Sequence, residues 1–444
     1  MEMARLAVKK TEKLGASEAE AYVQKARTIR IGFAEQVQDV KTVESSGLGL
    51  RVCFGRKAAM YSTSVLSEDE VGLAVERAIE IAEVAPEDPD WNHLNRRYGS
   101  SSAKGYFDKA IEAIDHDEIM ERLEPAIMIM NERDKRVKPT RGMLTLVSST
   151  VSVANSYGEV MEDRGTFGAV WMRVKAEEAG LESTGGEHLE ARSWEEIDLE
   201  SMAVRAVDKA VGYLKARPIA GGEMPVIVRN QVTASILGVM LSSPINADVV
   251  QKGGSPLADK VGEQIAADTI TIIDDGTIER GFGTRPFDDE GHPTQKTPII
   301  DKGVLRGFLY DNYTALKDDI DSTGNALRHG YFAPPTPYPT NLILEKGTAG
   351  HDDIIRDTKR GLYVDNVIGE WLSNPVSGNL NATVTHGYIV ENGELGEPVK
   401  GVVLAGNFYE LLKEGFEVVG GDTRNTSGNY SPTVKFRKLT VAGE

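Results

Sequence analysis

Histidines are the side chains of this 444-residue chain best suited to hold a metal ion or to move a proton near neutral pH. A zinc-binding peptidase helix needs two histidines on one face, with a neighbouring glutamate as base or ligand. The seven histidines are His93, His116, His188, His292, His329, His351 and His386. No two of them are close enough in sequence to share a helical turn, so we predict neither a metal site nor a catalytic residue in this chain.

Segments that are distant in sequence still offer weaker candidates for a site. Glutamate and histidine are adjacent at 187–188, and a histidine precedes two aspartates at 351–353. Both segments have polar, turn-rich surroundings, which favours solvated loops over a binding site. His292 and His329 also lie in turn-like sequence. A metal site assembled from these two distant histidines is left open.

Motifs for nucleophilic catalysis and for nucleotide binding are absent from the sequence. Cys53 is the single cysteine, so an intramolecular disulfide is impossible, and its alternating surroundings predict a small buried side chain. No G-x-S-x-G segment is present, and no glycine-rich segment has the G-x-G-x-x-G pattern of a dinucleotide site.

The charge balance argues against a nucleic-acid partner. Acidic residues outnumber basic ones by 68 to 50, which gives a formal net charge of −18. Phosphates would therefore be repelled unless basic residues were concentrated on one surface, and no such run occurs. No apolar run approaches the ~18 residues of a membrane span, and the amphipathic N-terminus lacks the features of a signal peptide. We expect a cytoplasmic protein without membrane contacts.

Strand and turn signals precede a helix in the first part of the chain. A hairpin is predicted to turn at Gly55 and Arg56. Ser67 stands three residues before Glu70, which is the spacing of a capping box at a helix N-terminus. One apolar stripe follows at helical spacing, formed by Val71, Val75, Ala78 and Ala82. This unit is therefore predicted to be antiparallel strands covered by a helix.

The same order of elements recurs in the central part of the chain. A helix is predicted near 115–133, followed by strands with turns at 155–158 and 164–165. Ser193 and Glu196 repeat the capping-box spacing. A second stripe follows them, formed by Ala203, Val207, Ala210 and Leu214. True duplication and independent use of a common architecture both explain this weak repeat.

Two segments rich in proline or glycine divide the chain, around 84–94 and 216–225. We predict domains at 1–90, 105–217 and 222–444, with a strand-rich last domain and an α+β class overall. The last domain opens with a buried strand that leads into an apolar helix, and another helix is predicted over 407–419.

Several ordered segments of the last region resemble one known family. They span 274–315, 322–328, 339–347, 362–379, and 402–412 with 427–443. Together with residues 39–70, they are similar to the TldD/PmbA family, also called modulators of DNA gyrase. The resemblance implies that a TldD-type subunit carries a His-Glu-x-x-x-His helix after the first buried strand of its last domain. Here Gly238, Val239 and Ser243 stand where that branch has its metal ligands.

A second departure from the TldD branch lies near the C-terminus. That branch has a cysteine in the segment that corresponds to 420–432, and this chain has none there. Both departures resemble the PmbA branch, also called TldE. The resemblance implies no cofactor in this chain, zinc in a TldD-type partner, and joint cleavage of unfolded or extended peptides.

Five polar residues at turns of the last region are candidates for contacting a peptide substrate. They are Arg285, Asp288, Asn325, Arg328 and Asn341. An arginine can hold a carboxylate, and an asparagine can pair with backbone amides. Asparagine and aspartate at turns also commonly satisfy their own backbone, so a structural role is the alternative.

Three functions remain open at this point. The favoured one is a non-catalytic subunit of a TldD/TldE-type zinc metalloprotease. The alternative is a homo-oligomeric peptide-binding or regulatory protein without protease activity, in which the partner is a second copy of the chain. Direct action on gyrase or DNA is suggested by the older family name, and the charge of −18 argues against it.

Overall fold

The computed structural model describes residues 1–158 and 160–443. Helices and strands are mixed along the chain, with strands in the majority, so the predicted α+β class is confirmed. The helices are α1 (Glu2–Lys13), α2 (Glu68–Val84), α3 (Lys109–Ala113), α4 (His116–Glu132), α5 (Leu199–Gly212), α6 (Asn230–Leu241), α7 (Ala247–Gln251), α8 (Asn312–Lys317), α9 (His351–Arg356) and α10 (Phe408–Glu410). Within the described residues, none of the helices combines the length and the apolar character needed to cross a membrane.

One antiparallel six-stranded sheet organises the first half of the chain, in the order β3-β2-β1-β4-β5-β6. Its strands are β1 (Glu18–Phe33), β2 (Val37–Phe54), β3 (Lys57–Thr63), β4 (Val137–Asn155), β5 (Val160–Glu178) and β6 (Leu181–Ala191). The central pair, β1 with β4, joins the two units that the sequence separates at 84–94. One sheet runs through both predicted domains, 1–90 and 105–217, so the sheet marks no boundary between them. The division into these domains stays a prediction.

The helices of each unit pack against its strands through the predicted apolar stripes. Ser67 caps α2 by accepting a hydrogen bond from the backbone N–H of Glu70 at 3.3 Å, and the α2 stripe is buried. In the central unit the capping box at Ser193 belongs to a single 3-10 turn, Trp194–Glu196. Helix α5 begins only at Leu199, where Asp198 is the cap. The central stripe is also buried.

The predicted turn at 164–165 is wrong. Strand β5 runs straight through both residues, which pair with Thr150 and Ser149 of β4. The chain turns at Ala179 and Gly180 instead, where both residues have positive φ angles of 51° and 82°. Gly165 lies inside a long paired strand. A glycine next to a charged residue is common in turns, so the sequence pattern predicts a turn there.

The last region contains two large sheets and a two-stranded sheet of β11 and β12. One has the order β10-β9-β8-β13-β20-β19, and the other has the order β14-β7-β21-β17-β15-β16, with β18 beside β21. Pairing of β14 with β15 closes five strands of the second sheet into a ring. The strands are β7 (Gly222–Val228), β8 (Ile272–Asp275), β9 (Lys296–Asp301), β10 (Val304–Leu305), β11 (Ala326–Leu327), β12 (Thr336–Pro337), β13 (Leu342–Leu344), β14 (Arg360–Ile368), β15 (Asn379–Glu391), β16 (Glu394–Val399), β17 (Val402–Asn407), β18 (Phe416–Val419), β19 (Arg424–Thr426), β20 (Asn429–Ser431) and β21 (Val434–Ala442).

The helix predicted over 407–419 is shorter than expected. Helix α10 continues as a π-helical turn over Leu411–Gly415, and the segment then becomes strand β18. Phe416 of β18 pairs with Phe436 of β21, and their rings meet edge to face at 4.8 Å. Tertiary pairing with β21 therefore overrides the local helical pattern.

A buried ionic junction joins the first sheet to the last region. Arg51 of β2 lies 3.0 Å from the carboxylate of Glu20 and 2.8 Å from that of Glu290. Arg328 also pairs with Glu20, and its side chain is 1% exposed. The second oxygen of Glu290 accepts the backbone N–H of Asn312 at 2.8 Å. We call these four charged residues the ionic junction.

Replacing Arg51 with methionine tests the structural role of the junction. Arg51→Met leaves Glu290 buried without its ionic partner, so we expect the free energy of unfolding to fall by about 3–5 kcal/mol. Urea unfolding monitored by circular dichroism measures the change. Arg77→Met is the matched control, because Arg77 pairs with Glu80 on the exposed face of α2 and should leave the unfolding midpoint unchanged. An unchanged midpoint in Arg51→Met would contradict this role.

Candidate functional site

Helix α6 is the element on which the metal ligands of the TldD branch were expected. It starts directly after the buried strand β7, and its apolar residues pack into the core of the last region. The helix ends at Leu241, because Pro244 follows shortly afterwards and cannot continue it. The buried residues are Val232, Thr233, Ala234, Ile236, Leu237, Met240 and Leu241. The predicted strand and apolar helix are thus confirmed.

Gly238 lies on α6 under the hairpin formed by β19 and β20. A Cβ atom at Gly238 would lie 2.4 Å from Nδ2 of Asn429, which is too close for any side chain to enter without moving the asparagine. Asn429 itself is held by hydrogen bonds to the carbonyl oxygens of Thr426 at 3.2 Å and Ser427 at 3.3 Å. The side chain of Asn429 therefore occupies the space into which a residue at 238 would project.

The other two positions also lack the properties of a metal ligand. Val239 is apolar and packs against the core of the last region. Ser243 is exposed in the turn beyond α6, where its carbonyl oxygen accepts the N–H of Asn246 at 3.1 Å. The three positions offer no imidazole, thiolate or carboxylate, so this donor set does not fit zinc. Elsewhere in residues 1–158 and 160–443, no group of three or more His, Cys, Asp or Glu side chains is placed to hold a metal ion.

His351 lies beside the first turn of α6. Its Nδ1 is 3.2 Å from the hydroxyl of Thr433 and 3.6 Å from the carboxylate of Asp422. Asp422 also accepts hydrogen bonds from Thr433 and from Asn230, the first residue of α6. This group ties the start of α6 to the C-terminal strands. The loop interpretation of 351–353 is wrong, because these residues begin α9.

The loop interpretation of residues 187–188 is also wrong. Both lie in strand β6, and Glu187 is buried beside two cations. His292 is buried, which lowers the pKa of its imidazole, and its Nδ1 lies 3.0 Å from the carbonyl oxygen of Pro293. The ring of His329 packs against Tyr338 at 6.1 Å. Cys53 is buried as expected, and burial raises the pKa of its thiol to about 12.

Two of the five substrate-contact candidates organise the loop around residues 283–293, which lies within the first family motif. The carboxylate of Asp288 is fully buried and accepts backbone N–H groups from Glu290 at 2.9 Å, His292 at 3.0 Å and Ala326 at 3.1 Å. Arg285 donates to Asp289 at 2.9 Å and to the carbonyl oxygen of Ala326 at 2.7 Å.

The other three candidates are buried in the same part of the last region. Asn325 donates to Asp274 at 2.7 Å, and Arg328 belongs to the ionic junction. Asn341 accepts from the backbone N–H of Gly283 at 2.8 Å and donates to the carbonyl oxygen of Asp275 at 2.7 Å. The hydrogen bonds of all five residues are directed to the protein, in line with the structural alternative. A role in substrate binding stays a prediction.

The sequence does not predict a charged group at the contact between the central unit and the last region. Lys209 of α5 lies 3.2 Å from Asp365 of β14, which also pairs with Arg229 at 2.6 Å. Burial alone would raise the pKa of Asp365, but these two cations bring it below the ordinary value. Arg424 of β19 lies nearby. The only local sign in the sequence is the charge of Asp365 at the end of a buried strand. Charged residues at strand ends are common at protein surfaces.

Comparison with known proteins assigns the family. Profiles of the PmbA/TldA metallopeptidase family match three successive parts of the chain: domain 1 at residues 19–82, the central domain at 109–214 and the C-terminal domain at 221–443. The chain belongs to this family.

Individual relatives carry metalloprotease names. A metalloprotease of Methanothermobacter thermautotrophicus is 31% identical over 67% of this chain and 68% of its own length. A metalloprotease PmbA homologue of Haemophilus influenzae is 26% identical over 98% of this chain and 94% of its own length. The crystal structure of TldE from Thermococcus kodakarensis is 25% identical, with a TM-score of 0.92, and covers 99% of this chain and 100% of its own. A modulator of a DNA gyrase from Thermotoga maritima has a TM-score of 0.89 at 25% identity, over 99% of both chains.

A methyl group at position 238 tests the packing of Asn429 on α6. Alanine is usually better than glycine inside a helix by up to about 1 kcal/mol. We nevertheless expect Gly238→Ala to lower the free energy of unfolding by about 1–3 kcal/mol, because the methyl group must displace Asn429. In a chain that carries Asn429→Ala, the same change should become neutral or stabilising. Urea unfolding of the two single variants and the double variant measures this reversal of sign.

Gly72 supplies the matched control for this experiment. It lies inside α2, and a Cβ atom there would meet only the flexible end of Lys10, at 3.1 Å. Gly72→Ala should therefore stabilise the chain in either background. Equal effects of Gly238→Ala with and without Asn429 would rule out the packing argument.

Proposed function

We propose that this chain is the metal-free, TldE-type subunit of a two-component metallopeptidase. A TldD-type partner would carry the zinc ion, and the complex would cleave unfolded or extended peptides. The observation that carries the proposal is the loss of the ligand positions on α6 within an otherwise preserved family fold. Gly238 is covered by Asn429, Val239 is apolar and Ser243 lies beyond the helix. Likeness to a TldE structure over nearly the whole chain supports the same proposal.

In this proposal the residues of this chain carry out no step of peptide hydrolysis. In the complex, the zinc of the partner would activate water and polarise the scissile carbonyl group. This chain would supply binding surface and help to exclude water. A homo-oligomeric peptide-binding protein without protease activity is the second candidate, and the loss of the ligand positions is equally compatible with it.

Metal content and peptide cleavage distinguish the two candidates. The isolated chain should bind less than a stoichiometric amount of zinc and should leave an unfolded polypeptide such as casein intact. Addition of the TldD-type subunit from the same organism should produce cleavage above that of the partner alone, and chelation should abolish it. Replacement of the two histidines in the partner's helix is the matched control. Stoichiometric zinc or proteolysis by the isolated chain would refute the proposal.

An exposed apolar surface beside α6 is the candidate contact for the second subunit. Trp371 and Leu372 are 59% and 77% exposed, and Ile368 and Val376 nearby are 48% and 58% exposed. The segment is anchored to α6 by Ser235, which donates to Glu370 at 2.9 Å. Concentrated exposed apolar residues mark protein interfaces, and tryptophan is enriched among the residues that dominate binding energy. We define residues 368–376 as the apolar segment and assign it to contact with a TldD-type subunit.

An acidic substitution in the apolar segment tests this contact. Leu372→Asp should weaken association with the TldD-type subunit at least about tenfold, because a charge would be buried in the interface. Sedimentation velocity of the mixed subunits measures the change. Val65→Asp is the matched control, because Val65 is 51% exposed in the loop before α2 and lies outside the segment. Unchanged association of Leu372→Asp would place the interface elsewhere. Self-association of the wild-type chain through this segment would favour the homo-oligomer.

A further inference from the structure

Positive charge is concentrated where α5 and β6 meet the start of α6. We call this group the cation cluster. Its members come from three separate parts of the chain: Arg205 and Lys209 from α5, Arg229 immediately before α6, and Arg424 from β19. In a chain with a net charge of −18, a group of four neighbouring cations needs a physical explanation.

Two carboxylates balance three of these cations. Glu187 accepts from Nε of Arg205 at 3.1 Å and lies 3.4 Å from Nζ of Lys209. Asp365 lies 3.2 Å from Lys209 and 2.6 Å from Arg229. The side chains of Glu187 and Asp365 are only 3% and 10% exposed, so both anions are enclosed by these partners.

Arg424 is the cation without a carboxylate of its own. It is half-buried, and its guanidinium group makes no hydrogen bond or ion pair with another residue in the described part of the chain. Burial and the neighbouring cations Arg229 and Arg205 lower the pKa of Arg424, and the nearby carboxylates Glu187 and Asp365 offset this only in part. Strand β19 packs against α6 and β6, which places Arg424 beside the other three cations. Its five N–H donors are therefore available in a group where the cations outnumber the carboxylates by two.

We propose that the cation cluster binds the C-terminal carboxylate of a peptide, with Arg424 as its main contact. A carboxylate is planar and matches the paired N–H groups of a guanidinium. Arg424 also lies on β19, which is one of the two edge strands of its sheet and is held to β6 by hydrogen bonds from Asn425 and Ser427 to Glu190. The unpaired backbone groups of an edge strand can pair with an extended chain, which favours a peptide over a small free anion. The choice of a peptide rests on the proposed function, whereas the need for an anion rests on the cluster alone.

Calorimetric titration of the isolated chain with two peptides tests the proposal. Both are one unstructured octapeptide with an acetylated N-terminus, ending either in a free carboxylate or in an amide. The free acid should bind at least about tenfold more tightly than the amide, as expected for a charge-assisted hydrogen bond. Arg424→Gln should reduce binding of the free acid to the level of the amide. Arg437→Gln is the matched control, because Arg437 is exposed on β21 and removes the same charge.

Three results of the titration would contradict the proposal. Equal binding of the acid and the amide, or full affinity in Arg424→Gln, would overturn the proposal, provided that the variant keeps the unfolding midpoint of the wild type. Inorganic phosphate that binds more tightly than the free-acid peptide would overturn the assignment to a carboxylate. The titration uses the isolated chain without the TldD-type subunit. Its outcome is therefore independent of whether that subunit restores proteolysis, and the two proposals can fail separately.

Discussion

The ionic junction is the constraint on which the arrangement of the two halves depends. Glu20 and Arg51 belong to adjacent strands of the first sheet, whereas Glu290 and Arg328 belong to loops of the last region. Charges this deeply buried are tolerated only when every partner is present and well placed. A shift of the last region against the sheet would leave carboxylates unpaired in an apolar setting. The junction therefore fixes the relative position of the two halves more strictly than apolar packing alone, which tolerates small shifts.

This constraint explains why the family motif around residues 283–293 is rich in polar residues without forming an open site. Asp288 holds three backbone N–H groups, Arg285 joins two loops, and Glu290 enters the junction. The sequence predicts a turn at each of these positions, but it does not show which groups these side chains contact in the folded chain. Arg328 and Glu20 are 308 residues apart, and local spacing contains no information on such a contact. The side chains that the sequence offered as contacts for a peptide are buried, and their hydrogen bonds are made to other groups of the same chain.

Elements governed by local rules were predictable, and those governed by tertiary pairing were not. The hairpin at Gly55, the Ser67 cap and the apolar stripes depend on neighbouring residues only, and they occur as expected. Strand β18 depends on pairing with β21, and the end of the predicted helix was therefore wrong. The same limit applies to α6. A glycine at 238 is visible in the sequence, but Asn429, which covers it, comes from a hairpin near the C-terminus.

The two charged clusters of the chain differ in one property that bears on function. In the ionic junction two arginines meet two carboxylates and all four side chains are buried, although one oxygen of Glu20 and Nε of Arg51 have no hydrogen-bond partner. In the cation cluster four cations meet two carboxylates, and Arg205 and Arg424 remain partly exposed. A group this deeply buried stabilises one arrangement of the chain and is not accessible to a ligand. A surplus of cations is unfavourable in isolation, because desolvation and mutual repulsion both oppose it. Such a surplus is stabilised when an anion binds, which is why the unbalanced cluster, and not the junction, is the place to look for a ligand of this chain.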